Sequence, residues 1–171
     1  DVADHRDVDP RLGTLGDFDE MVATAGRLGL KIMVDIVPNH SSDQHEWFKR
    51  AQQAPPGSPE RDFYVWSDTD QRYADTRVIF VDTERSNWTW DPTAKAYYWH
   101  RFFHHQPDLN YDNPAVLAEI LRVMDFWLEI GADGFRLDAV PYLVEREGTS
   151  CENLDETHDV IKAIRAHIDA R

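Results

Sequence analysis

Apolar residues recur at helical spacing from Leu15 through Phe18, Met21, Val22, Ala25 and Leu28. Thr14 stands before them as an N-cap and Gly29 after them as a stop, which predicts an amphipathic helix. The run Leu30–Val37 is nearly all apolar, with Asp35 inside it, and suits a parallel strand covered on both faces. Pro38 ends it. A second helix–strand pair begins at Asn113-Pro114, a cap followed by an N1 proline. Val116, Leu117, Ile120, Leu121, Met124, Trp127 and Leu128 form its apolar face, and Gly131 closes it. Gly134–Val140 reads as another buried strand, and Val160, Ile161, Ile164 and Ile168 mark a last amphipathic helix.

Residues 41–111 have a different pattern. One short helix is predicted within Asp43–Gln53, around Trp47 and Phe48, followed by the turn-rich Ala54–Pro59. Short aromatic stretches come next: Phe63–Trp66, Val78–Val81 and Tyr97–Phe103. Asp91-Pro92 suits a hairpin turn between Asn87–Trp90 and Tyr97–His100. The stretch reads as a small, irregular, β-containing lobe inserted between a strand and the next helix. In parallel α/β architectures the loops at the carboxyl ends of strands carry the chemistry, so an insertion there shapes a site.

Composition narrows the function classes. A chain of 171 residues with 42% hydrophobic residues has the material for one domain, or one domain with a small insert, and is not a disordered segment. Its 32 Asp and Glu against 18 Lys and Arg give a net charge of −14, which repels phosphate backbones and anionic membranes. Nucleic-acid and membrane partners are therefore not expected. The single Cys151 cannot form an internal disulfide, and the expected location is cytoplasmic. The chain opens on Asp1-Val2-Ala3-Asp4, without Met, as if cut from something longer.

Both strands end in polar residues: Asp35-Ile36-Val37-Pro38-Asn39-His40 and Arg136-Leu137-Asp138. Arg136 and Asp138 point to one face, and Asp35 can supply a counter-charge from the neighbouring strand. Such a group is either a structural ion pair or half of an active site. A carboxylate beside an arginine stays ionised, as a nucleophile requires, but a retaining glycosidase needs a second, protonated carboxyl about 5 Å away. Glu145, Glu147, Glu152 and Glu156 are nearby in sequence, and none sits at a strand end. Asn39, Asp108, Asn110, Asp112 and Glu145 are hard oxygen donors without EF-hand spacing. His100, His104 and His105 match no zinc spacing. The aromatic residues from Trp88 to Phe103 suit either sugar platforms or the core of the lobe, and core is favoured for most. Cys151 reads as an inert thiol.

These residues carry a family resemblance. Asp35–His40 and Gly134–Val140 resemble the first and second signature segments of the α-amylase superfamily of glycoside hydrolases, with a separation that matches its inserted domain B. Gln106–Asn110 (QPDLN) resembles the signature near the end of domain B in oligo-1,6-glucosidase-like members, and Asp1–Asp4 the loop after the second barrel strand. Tyr142–Leu154, Arg101–Asn110 and Trp66–Asp70 are similar to the trehalose-synthase branch.

The resemblance implies a partial TIM (β/α)8 barrel, about strands 3–4 with their helices. Residues 1–40 and 112–171 would be barrel, and 41–111 domain B. It implies Asp138 as nucleophile, Arg136 as the residue that orients it and Asp35 as support for Arg136. His40 and Asp1 would bind substrate. Asn39, Asp108 and Glu145 side chains, with the Tyr142 and Leu143 carbonyls, would hold a structural Ca²⁺, and no organic cofactor is implied. The substrate would be maltose, trehalose or a short α-glucoside. The alternatives are a hydrolase of the same superfamily, in which water takes the intermediate, and a non-catalytic carbohydrate-binding relative. The general acid/base Glu and a third Asp are expected beyond the chain, so the 171 residues alone are expected to be inactive and to aggregate or form a molten globule.

Overall fold

A computed structural model describes residues 1–171. In chain order the elements are α1 (Leu15–Arg27), β1 (Met33–Ile36), α2 (Glu46–Gln53), β2 (Trp66–Ser67), β3 (Trp88–Asp91), β4 (Ala96–Trp99), α3 (Pro114–Glu129), β5 (Gly134–Leu137) and α4 (Asp155–Asp169). No helix is long and apolar enough to cross a membrane.

Local chemistry accounts for the helix ends. Thr14 Oγ1 accepts from the Asp17 backbone N–H, and Asp17 Oδ2 accepts from the Thr14 N–H, a reciprocal capping box that opens α1. At its far end the Leu30 N–H bonds the Ala25 carbonyl and the Gly29 N–H that of Gly26, with Gly29 at φ +71°. Helix α3 repeats the device. Asn113 accepts from the Ala115 N–H, Pro114 takes the first position, and Gly131 turns the chain at φ +106°. A Cβ on Gly131 would lie 2.5 Å from Val22 Cγ1, so glycine also lets α3 end against α1.

The two predicted strands pair with each other in parallel, with Asp35 opposite Arg136 and Ile36 opposite Leu137. They are shorter than the apolar runs, and within these 171 residues one face is covered. Val34, Ile36, Phe135 and Leu137 pack into the main core, whereas Met33, Asp35 and Arg136 face away from it and are exposed. Alternation of side chains across a strand requires that division once a helix layer covers only one side.

The stretch 41–111 carries its own antiparallel sheet in the order β2-β4-β3, with Trp66 opposite Tyr98 and Trp88 opposite Trp99. The hairpin lies within a residue of its expected place, and Asp91 Oδ1 caps the turn by accepting from the Thr93 and Ala94 N–H groups. Val78–Val81 forms no strand. Most of the aromatic residues are core: Trp88, Trp99 and Tyr73 pack with Cys151, and Tyr98 joins Phe48, Tyr64 and Leu109 in the main cluster. Trp90 is exposed. The lobe returns beside the end of β1, where the Leu109 N–H bonds the Asn39 carbonyl and the Ser41 N–H that of Pro107.

Candidate functional site

The ends of β1 and β5 bring three charged side chains together. Arg136 Nη1 lies 2.9 Å from Asp35 Oδ2 and 2.8 Å from Asp138 Oδ1. The register that sets Asp35 opposite Arg136 makes the first contact, and the two-residue step to Asp138 on the same face makes the second. The group is not buried: the side chains of Arg136 and Asp35 are each 57% exposed and that of Asp138 42%. Water screens such pairs, so they add little to stability. The hydrogen bond to Asp35, and then the charge of Asp138, raise the Arg136 pKa further. Ala139, next after Asp138, is held in the left-handed region at φ 57°, ψ 21°. That costs an L-residue about 1–2 kcal/mol, so the surroundings must impose it.

His40 lies beside this group. It is buried, and desolvation lowers its pKa to about 4 while the charge of Asp138 pulls the other way, so the ring is neutral at neutral pH. Asn39 Nδ2 donates to His40 Nδ1 at 3.3 Å, which leaves the ring proton on Nε2. Asp1 pairs with His105 at 3.1 Å and accepts from Gln106 Nε2 at 2.8 Å. A cavity of about 430 Å³ runs between the Asp1–Pro10 segment and β1 and reaches Asp1 and Asp35. His40, Arg136 and Asp138 lie outside its lining.

On the lobe side of His40 lies a second group. Asn39, Asp108 and Glu145 are all buried, and in each one side-chain oxygen has no hydrogen-bond partner: Asn39 Oδ1, Asp108 Oδ2 and Glu145 Oε1. Burial raises the Asp108 and Glu145 pKa values well above the carboxylate range, and the negative charge of Asp108 raises that of Glu145 further. Arg101 opposes both shifts. Leu143 is buried as well, while Tyr142 is half-buried. A buried oxygen without a partner costs about 1–3 kcal/mol, and three close together need an explanation.

Several neighbours had no signal in the sequence. Phe102 lies 5.1 Å from the His40 ring and edge-on to Tyr142 at 5.3 Å. The Trp47 N–H donates to His45 Nδ1, which leaves His45 Nε2–H to donate to His5 Nδ1 at 3.1 Å. His5 Nε2–H then donates to the Val37 carbonyl at 3.3 Å. This chain ties the Asp1–His5 segment to β1 and α2. Burial lowers both imidazole pKa values to about 4. Only contact across long sequence separations reveals it. His100 meets Thr89 and the Phe102 carbonyl, and His104 meets Glu84. Cys151 is fully buried against Thr76, in keeping with an inert thiol.

Residues 1–170 match the α-amylase catalytic-domain family model. The chain is 60% identical over 169 residues to the trehalose synthase/amylase TreS of Mycolicibacterium smegmatis, covering 99% of this chain and 28% of that protein. It is 54% identical over 171 residues to the trehalose synthase of Thermus thermophilus, covering 100% of this chain and 17% of that one. Maltase 1 of Drosophila virilis is 44% identical over 154 residues, covering 86% and 24%. The chain thus spans less than a third of the length of these relatives. Among solved structures it superposes on a trehalulose synthase with a TM-score of 0.87 and 32% identity, over 98% of this chain and 32% of that one. An isomaltulose synthase from Klebsiella has the same TM-score at 31% identity, over 98% and 32%. By the family match and the conserved geometry of its fold, the chain belongs to the α-amylase catalytic-domain family.

Proposed function

We propose that the chain carries the nucleophile side of a retaining α-glucoside site, in a trehalose synthase that interconverts maltose and trehalose. The observation that carries this is the Asp35–Arg136–Asp138 group at the strand ends. Asp138 attacks the anomeric carbon to give a covalent glucosyl ester, while Arg136 fixes its orientation and Asp35 fixes Arg136. Neutral His40 offers an Nε2–H to the bound glucose, and Asp1 grips a sugar hydroxyl from the other side. Glucose released from the reducing end stays bound and re-attacks through its anomeric hydroxyl, in a site closed to water. The second carboxyl of a retaining cycle is not among the residues gathered here. The identities of 54–60% to trehalose synthases favour transfer. A hydrolase of the same family is the second reading, favoured by the 44% identity to a maltase; a non-catalytic carbohydrate-binding relative is the third.

The same reading assigns residues 1–40 and 112–171 to a (β/α)8 barrel around its third and fourth strands, 41–111 to domain B, and the enzyme to the cytoplasm. It also assigns a calcium ion. The three unpartnered oxygens of Asn39, Asp108 and Glu145 are hard donors of the kind Ca²⁺ takes, and the Tyr142 and Leu143 carbonyls complete the set. The ion would neutralise two buried carboxylates and fasten the lobe to the strand ends, with no part in the chemistry. Incubating the enzyme that carries this chain with maltose separates the readings by chromatography. Trehalose as main product, abolished by Asp138→Asn, is expected; mostly glucose selects the hydrolase, and turnover that survives Asp138→Asn overturns the nucleophile.

A further inference from the structure

We propose that Arg101 is a positioning residue for Asp138, a clamp from the 41–111 lobe on the loop that follows the nucleophile strand. The inference rests on the assignment of Asp138 above. That loop is held in an unfavourable shape, with Ala139, Cys151 and Asn153 all in the left-handed region at φ 57°, 52° and 54°. L-residues stay there only when surrounding contacts over-determine them. Within the loop, the Asn153 N–H bonds the Pro141 carbonyl at 2.8 Å and the Tyr142 N–H that of Ala139 at 3.2 Å. The first joins the two limbs and the second closes a turn at the start; neither fastens the loop to anything outside it.

Arg101 supplies an outside hold that bridges both limbs, beside Asp112, which takes Arg146, and Tyr73, whose N–H donates to Glu147. Its guanidinium lies over the Tyr142 ring at 5.0 Å, three residues from Ala139. On the returning limb, Nη2 meets Glu152 at 2.8 Å and Nη1 bonds the Ser150 carbonyl at 3.4 Å. One planar group thus bridges the start and the end of the loop. Two lobe residues reinforce the returning limb: Arg77 pairs with Glu152 at 2.9 Å, and Thr76 bonds Cys151 Sγ at 3.1 Å.

Stability is a poor account of this arrangement. The Arg101 side chain is fully buried, and its Nε has no partner. A buried, incompletely satisfied charge is usually matched or bettered by an apolar side chain of similar size. What a methionine could not provide is the pair of directed contacts on opposite limbs of the loop.

The test uses the enzyme that carries this chain, with Arg101→Met, Arg101→Lys and Tyr142→Leu. Arg101→Met leaves Glu152 paired with Arg77 but removes the charge that faces buried Asp108 and Glu145, so the variants are compared with wild type in saturating calcium, which supplies that charge. A nucleophile displaced by a fraction of an ångström slows the chemical step more than it weakens binding. We expect kcat on maltose to fall about ten- to a hundredfold with KM changed less than about threefold. Tyr142→Leu should lower kcat as well, and the double variant should lose less than the product of the two single losses, because the Arg101–Tyr142 contact is common to both while the bonds to Glu152 and Ser150 and the edge contact with Phe102 are not. Lysine keeps the charge but not the planar bridge, so Arg101→Lys should remain impaired; should Arg101→Met fail to fold, this variant decides. Wild-type kcat in Arg101→Lys, or in a folded Arg101→Met, overturns the clamp, as does full additivity with Tyr142→Leu. If Asp138→Asn abolishes turnover while these variants are normal, only the clamp fails; if Asp138→Asn is active, the reading of the nucleophile fails first.

Discussion

On the proposed calcium assignment, removing the ion at neutral pH from the protein that carries this chain should leave Asp108 and Glu145 as buried carboxylates with only the charge of Arg101 against them. Three unpartnered oxygens, at about 1–3 kcal/mol each, amount to about 3–9 kcal/mol of unmet polar interaction. Part is recovered by protonation, because burial holds both pKa values well above the usual range. By mass action, calcium at a hundred times its Kd contributes about 2.7 kcal/mol. At about 2–4 °C per kcal/mol for 150–250 residues, that moves Tm by about 5–11 °C, and by less in a larger cooperative unit.

The pH dependence makes the experiment decisive. A carboxylate whose folded pKa is raised contributes stability below its unfolded value and loses it as pH rises through the folded one. Without metal, the pair therefore weakens the fold progressively above about pH 4. Calcium requires the ionised forms, so its contribution grows over the same range. His5, His40 and His45, lowered to about 4, act in that window with opposite sign but in both states, and they cancel in the difference. Melts at pH 5, 6 and 7.5, each with calcium and with chelator, should show a gap that widens with pH. Asp108→Asn with Glu145→Gln should close the gap and raise the metal-free Tm at pH 7.5. A chelator-insensitive Tm, or a gap constant across pH, refutes the reasoning.

Asp35→Asn should lower kcat by about tenfold through looser Arg136; an unchanged kcat removes Asp35 from the site. Gly131→Ala places a Cβ 2.5 Å from Val22 Cγ1 at φ +106° and should cost about 2–4 kcal/mol in denaturant unfolding, against less than about 0.5 kcal/mol for a surface change. His5→Gln in saturating calcium should flatten the acid loss of stability between about pH 6.5 and 4. A base with a lowered folded pKa loses its contribution as pH falls, at up to about 1.4 kcal/mol per pH unit, so an unchanged slope in the variant argues that His5 is already protonated in the fold.

Periodicity and cap chemistry were sufficient for the two helix–strand pairs. Thr14 with Asp17, Asn113 with Pro114, and Gly29 and Gly131 act over one turn of chain, and the structure places each where local rules put it. The same rules do not say which layer covers which face of a strand. An apolar run such as Leu30–Val37 says that burial is available, and only the neighbouring layers decide which face receives it. In the lobe, aromatic richness without a regular period located the hairpin through its Asp91 turn, but gave no rule for which of the other aromatic stretches would pair.

The site divides along the same line. Arg136 and Asp138 were legible because two residues on one strand share a face, and Asp35 because parallel pairing needed only one register to bring it opposite. The oxygen donors could be nominated by resemblance, yet no spacing rule joins Asn39, Asp108 and Glu145; their unpartnered oxygens become evident only when the chain is folded. Arg101 was invisible for a deeper reason. Before folding it is one basic residue among aromatics in a lobe remote from Asp138, and its meaning lies in contacts with Tyr142, Ser150 and Glu152, well beyond the reach of any local rule. On the proposed assignment, seven residues of sequence carry the nucleophile, whereas the loop behind it takes its outside contacts from the lobe inserted a strand earlier.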